Sequence, residues 1–392
     1  MRPALALLGA LLSLPLPALA QQGFQLSPGV TVAGVYDDEL AAAGASPGGA
    51  LISQVSPRLA LGYGTERMAL LVRASLDVEV LDEAPLQAMP WLRWTSSAEF
   101  VSQLTDRLTL TASGSLWDTN TPRQLDLTSG FDPGQVWEES GAARAALACR
   151  FSERLLGALQ GEFTSTSELG LVTNEEAVRG SLVEQLSLRS DAKAELLVRH
   201  FNFGDRLEAF VTAPMAGWSR RLSRELSLEL LGGPRFDGRA LEGFEGSAAL
   251  GWELERTHLS VSLASTQSAV SGFSGLVDAV SASAIWVLRP VEHLRLSAAP
   301  AAYLSTGAPL SAQTLELRLD LVREVNPWVA LLASYRFTAQ HASFAQATEV
   351  AGSSFHNQLV FGFSFSTPAA PGLPADWPTA SAWAAPGSPA RP

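Results

Sequence analysis

Acidic and basic residues recur at alternate positions along several stretches of this sequence, so that both signs fall on one face of an extended chain. The residues in this phase are Arg73, Asp77, Glu79, Arg93, Glu99, Arg144, Arg150, Glu162, Arg179 and Lys193. Farther along they are Glu195, Arg199, Glu229, Glu245, Glu253, Arg295, Glu316, Arg318, Asp320 and Arg336. Carboxylates and guanidiniums opposite one another on neighbouring strands can pair and stiffen the wall that carries them. Mixed with Ser, Thr, Ala and Gly, such a face suits a hydrated solute that is neutral or weakly charged.

Patterns for covalent or metal chemistry are weaker. Gly44-Ala45-Ser46-Pro47-Gly48 matches G-x-S-x-G, but a nucleophile elbow needs a strand before it and a helix after it. Here proline follows the serine in a low-complexity stretch. The five histidines, His200, His258, His293, His341 and His356, show no H-E-x-x-H or other ligand spacing. Cys149 is the only cysteine, which excludes an intramolecular disulfide and a thiolate metal cluster. No catalytic residue, cofactor or metal is expected.

The elements that must carry the charged face are strands. From Met68 to Val80 every second residue is apolar: Met68, Leu70, Val72, Ala74, Leu76, Val78 and Val80, opposed by Arg73, Ser75, Asp77 and Glu79. A helix of this sequence would scatter charge around its circumference, whereas a strand sends one set to each face. The same pattern recurs at Leu226 to Leu230, Phe244 to Leu254, Leu315 to Leu321 and Leu359 to Phe365. These segments are longer than ordinary soluble strands, as a tilted membrane strand requires. An antiparallel sandwich also alternates, but it has no reason to sort its connections. Here short polar turns, such as Gly64-Thr65-Glu66-Arg67 and Thr105-Asp106-Arg107, alternate with longer stretches such as 37–49, 118–134, 163–176, 265–275 and 340–353.

The expected fold is therefore all-β: a transmembrane antiparallel up-and-down β-barrel of about 18 strands, with 16 as the second choice and both termini at the turn end. The weakest phase lies around 207–233, and Glu184 falls on the apolar face, where a bulge or a phase slip is expected. Aromatics near strand ends, among them Trp91, Trp94, Trp117, Trp218, Trp286 and Trp328, suit an interfacial girdle.

Composition agrees with a membrane protein. Hydrophobic residues make up 47% of the chain, yet past the start no apolar run reaches the length of a spanning helix. Residues 1–20 read as a signal peptide, with Arg2, an apolar core and Ala18-Leu19-Ala20 before the cut. Residues 21–366 form the barrel, and 367–392 a Pro- and Ala-rich disordered periplasmic tail. The net charge of −12 and the single lysine argue against nucleic acid as a partner.

Ser27-Pro28-Gly29-Val30, Tyr36-Asp37-Asp38, Val55-Ser56-Pro57-Arg58-Leu59 and Leu61-Gly62-Tyr63-Gly64 carry a resemblance. These N-terminal strands look like those of bacterial outer-membrane β-barrels linked to exopolysaccharide export, including the eighteen-stranded barrels of myxobacteria. The resemblance implies a conduit for a polysaccharide cargo through outer-membrane lipid. A periplasmic polysaccharide-export protein would serve it, and the outer-membrane assembly machinery would insert it. It carries over no catalytic residues. One departure is the long tail after Phe365, where many outer-membrane proteins end on an aromatic. A general or solute-specific diffusion porin is the alternative, followed by a barrel enzyme or a structural adhesin-like protein.

Overall fold

A computed structural model describes residues 23–38, 49–81, 91–119, 138–168, 170–204, 207–238, 240–270, 273–307, 310–344 and 352–367. The leader expected over residues 1–20, the whole Gly44–Gly48 G-x-S-x-G stretch and the tail beyond Thr367 lie outside these residues.

Alternation becomes strand at every expected place. The first six strands are β1 (Phe24–Asp37), β2 (Ala50–Gly64), β3 (Met68–Leu81), β4 (Trp91–Thr105), β5 (Leu108–Thr119) and β6 (Glu138–Arg150). There follow β7 (Leu155–Glu168), β8 (Leu171–Ser187), β9 (Ser190–Phe203), β10 (Leu207–Arg221), β11 (Leu226–Asp237) and β12 (Ala240–Leu254). The last are β13 (Thr257–Ala269), β14 (Leu276–Val291), β15 (Leu294–Gly307), β16 (Leu310–Asn326), β17 (Val329–Phe344) and β18 (Gly352–Ser366). Each pairs antiparallel with the next, and β1 pairs with both β2 and β18, so the 18 strands close on themselves.

The N-terminal segments singled out in the sequence build this closure. Gly29 stands opposite Arg58 on β2 and Ser366 on β18. The Arg58 side chain crosses β1 over Gly29 and donates to Ser364 Oγ on β18. A Cβ on Gly29 would lie 2.7 Å from Arg58 Nε, so the crossing needs glycine there.

At the turn end, β2–β3, β4–β5 and every later pair of that series join through short segments near the expected places, for example 106–107. The β8–β9 turn falls at 188–189, and Ser190-Asp191, expected to form it, open β9. The opposite, loop end departs from expectation. The connection expected over 163–176 shrinks to 169–170, because β7 runs to Glu168 and β8 starts at Leu171. Residues such as Thr166 and Thr173 stand opposite each other, and their ladder keeps their backbone groups satisfied, so a polar composition does not end the strand. The stretch expected as 265–275 likewise gives way to β13 as far as Ala269. Long and short connections are thus sorted less strictly than the sequence implied.

The irregularity expected at Glu184 lies just past it: register with β9 runs unbroken from Thr173 to Gln185 and shifts between Gln185 and Ser187. Glu184 itself shares the outward face of Val178, Leu182 and Leu186 near the turn.

The blurred 207–233 region has a structural cause. Between β10 and β11 the ladder passes from Thr212↔Phe236 to Ala216↔Gly232 with no pairs between. Pro214 has no N–H to give, and at Gly233 a Cβ would lie 1.9 Å from the Pro214 carbonyl oxygen. The two backbones meet at a crease that only glycine permits. Gly233→Ala is expected to destabilise the barrel by about 1–3 kcal/mol or more through overpacking, measured as a lowered urea midpoint in vesicles relative to Gly180→Ala, where the Cβ meets nothing and the backbone is ordinary strand.

Candidate functional site

The two faces of the wall differ in kind. One carries Leu159, Val178, Leu263, Phe361 and Phe363, all more than half exposed. The other carries the charged series. That the charged face is the interior follows from bonds between strands that are not neighbours. Arg199 on β9 donates from Nη1 to Thr266 Oγ1 (3.2 Å) and to the Gln267 carbonyl (2.5 Å) on β13, past β10, β11 and β12.

Most of the charges predicted for this face meet an opposite charge. Arg73 pairs with Glu99 at 2.7 Å, and Arg93 Nε donates to Asp77 at 2.7 Å. Glu195 takes Arg179 and Lys193, each at 3.1 Å, and Lys193 also approaches Glu229 at 3.9 Å. Arg318 pairs with Asp320 at 3.0 Å, and Arg336 with Glu316 at 3.4 Å. Arg144 donates to Gln160, which in turn donates to Glu162. Glu253 lies 3.9 Å from His258. Glu79, Arg150 and Arg295 share the inward phase; Glu79 is buried, while Arg150 sits exposed at the turn end. Hydroxyls fill the gaps in cross-strand pairs: Ser75 with Thr95 (2.6 Å), Ser140 with Thr166 (3.2 Å) and Ser262 with Ser283 (2.7 Å).

The interior is not uniform along the barrel axis. On β9 the inward residues near the turn, Asp191 and Lys193, keep partial exposure, whereas Glu195, Leu197, Arg199, Phe201 and Phe203 are buried. Strand β10 repeats this, with Val211, Ala213 and Met215 buried toward the loop end. So do β1, β14, β16 and β17. At the loop end apolar clusters alternate with buried polar side chains such as Asp37, Glu168, Ser305 and Thr314. Phe201, Phe203 and Val211 pack with Ala209, Ala269 and Leu276, bringing β9 and β10 against β13 and β14. Val270, Val277, Leu310, Ala312 and Ala342 form a second cluster, and Val35, Ala50 and Ile52 with Trp91 a third. Trp91 thus packs inside and not in a girdle, because it stands opposite the inward Glu79. Trp94, Trp252, Trp286 and Trp328 keep outward exposure.

Beside the first cluster lies a buried charge network. Glu245 on β12 accepts both its 2.9 Å hydrogen bonds from Arg199 Nη2 and one from Thr266. Arg235 on β11 comes within 3.9 Å of Glu245 and donates to Asp278 on β14. Sequence reasoning missed Arg235, which lies just past the stretch of weakest phase at 207–233, and missed the apolar clusters inside. A signal existed: from Leu196 to Phe203 both phases of the strand are apolar or aromatic apart from Arg199, His200 and Asn202. That pattern marks a strand covered on both faces.

Asp37, Asp38 and His356 offer ligand atoms within 4.8 Å of one another at the closure of the sheet. Protein donors occupy these carboxylates. His356 Nε2 meets Asp37 Oδ1 at 3.0 Å, and the Asn357 backbone and side-chain N–H groups donate to Asp38 at 2.6 Å. The group reads as a clasp across β1 and β18.

No protein-family model and no curated protein matches the chain. Solved structures are similar at low identity. OccAB4 of Acinetobacter baumannii is 9% identical with a TM-score of 0.48, over 89% of this chain and 100% of that one. The outer membrane protein opdK of Pseudomonas aeruginosa is 14% identical with a TM-score of 0.47, over 87% and 99%. The siderophore receptor PirA of the same organism is 9% identical with a TM-score of 0.46, over 88% and 81%. What the lumen can do follows from this chain's own residues.

Removing Glu245 as Glu245→Ala takes away the carboxylate that pairs with buried Arg199 and leaves Arg235 with Asp278 alone, and is expected to cost about 3–5 kcal/mol. Removing Glu99, whose side chain is 45% exposed, is expected to cost at most about 1 kcal/mol. Urea unfolding of the two variants in vesicles measures the difference.

Proposed function

We propose that this chain is an outer-membrane channel whose hydrated interior passes neutral or weakly charged, hydroxyl-rich solutes of the carbohydrate class. The outward apolar belt faces lipid, where every backbone group must be paired and a closed barrel is one of two permitted forms. A leader over residues 1–20 would deliver the chain to the periplasm. The observation that carries the solute class is the cancellation of charge inside. Arg73 with Glu99, Arg93 with Asp77 and Arg318 with Asp320 leave no field of one sign, and the Ser and Thr pairs present donors and acceptors without charge. Such a wall neither concentrates nor repels an ion strongly, while it can exchange hydrogen bonds with a sugar.

A second reading, export of a newly made polysaccharide, is favoured by one observation. Inward apolar side chains pack together at the loop end while those toward the turn end keep exposure, which suits a conduit that rests shut and is loaded from the periplasm. A periplasmic export protein would be its partner, and the outer-membrane assembly machinery would insert it.

Two measurements separate the readings. Proteoliposomes holding a diffusion channel should swell in neutral sugars faster than in charged solutes of equal size; a strong preference for one sign of charge contradicts the proposed lumen. A deletion strain that loses surface polysaccharide while keeping small-solute uptake supports export, and one with normal polysaccharide excludes it.

A further inference from the structure

The crease and the buried network occupy the same sector, and together they explain how its strands meet. In a round barrel, β9 and β13 stand too far apart for side-chain contact, since β10, β11 and β12 separate them. Here the inner faces of β9 and β10 lie against those of β13 and β14 at the loop end. The bend needed for this coincides with the interrupted ladder at Pro214 and Gly233, and with a register shift on the other side of β11, between Arg235 and Phe236. Arg199 and Arg235 then converge on Glu245, and Arg235 reaches on to Asp278.

We propose that this sector is a gate: the wall folds inward at the Pro214–Gly233 crease, and the Arg199–Glu245–Arg235–Asp278 network latches it shut. Its resting closure carries a built-in opposing cost. Arg199 Nε, Arg235 Nε, Gln267 Oε1 and Ser268 Oγ are buried and make no hydrogen bond. Unpaired buried polar atoms favour any state that hydrates them. Opening would wet these atoms and expose Phe201, Phe203 and Val211, so two opposed terms meet at one place. Such an arrangement can shift between two states when a few contacts change. The latch residues belong to four different strands, so one broken pair frees the inner faces without breaking the barrel's ladder.

The proposal rests on the channel reading for its purpose, but not for its test. Val211→Cys in a Cys149→Ser background places a thiol on the closed inner face, where Val211 is 1% exposed. A membrane-impermeant hydrophilic maleimide should label it slowly in the barrel with its latch intact. Adding Glu245→Gln, which keeps the shape and removes the charge, should speed labelling at least about tenfold. Asp278→Asn, at the rim of the network, should speed it less and serves as the second variant if Glu245→Gln does not fold, as judged by heat-modifiable migration. Glu99→Gln breaks a pair elsewhere in the lumen and should leave the rate unchanged. Unchanged labelling in the folded latch variants overturns the gate, as does equal acceleration by Glu99→Gln. Conductance of the same proteins in planar bilayers is read alongside. Faster labelling without conductance keeps the gate and removes the channel reading.

Discussion

A sheet that ended anywhere along its width would leave two rows of unpaired N–H and C=O groups, and in a lipid surround nothing could satisfy them. Pairing of β1 with β18 removes both rows. The closure is reinforced from side chains on both sides of β1. Arg58 spans Gly29 to reach Ser364, and the clasp of Asp37, Asp38, His356 and Asn357 holds the loop end of the same seam. Closure in turn assigns every other residue. With the wall shut, alternate side chains must face opposite surroundings, and charge is far cheaper inside with a partner than outside in lipid.

The interior then solves two problems with different chemistry along one axis. Toward the turns it is polar, and opposite charges stand in register, so water can enter and no net field builds up. Toward the loops it is packed, with apolar clusters around the fully buried Phe201, Ile52, Val277 and Leu310 set among buried polar groups such as Asp37 and Glu168. Wide barrels enclose a channel unless something fills them; here large inward side chains of β9 and β10 meet those of β13 and β14 at the loop end. The buried network at the junction between these halves is costly to form in a dry setting and keeps its place because each charge has a partner.

Much of this was legible in the alternation alone. Met68 to Val80 identified a strand and its two faces, and the charges read from it are the ones that pair. Three things were not legible, for separate physical reasons. Strand ends at the loop side were underestimated because Ser, Thr and Glu in 163–176 look like loop, while the partner strand satisfies their backbone whatever their polarity. Arg235 was missed because Gly232-Gly233-Pro234 signals a stop, yet there it makes a crease within a continuing strand. The closed loop end was missed because alternation assigns a side chain to the interior without saying what it meets there. Only contacts such as Arg199 to Gln267 reveal that two distant stretches of wall touch.

The central claim is a lumen closed by packing at the loop end and hydrated toward the turns. Hydroxyl-radical footprinting of the unaltered protein in vesicles tests it most directly, because two oxidisable side chains report from opposite ends of the interior. Met215 lies on the inner face near the crease and is 7% exposed, whereas His258, opposite the inward Glu253 at the turn end, has a side chain 46% exposed. The account predicts that Met215, with Phe201 and Phe203, stays protected while His258 oxidises. Oxidation of Met215 as fast as His258, relative to the intrinsic reactivity of each, would mean an open lumen from end to end and would contradict it.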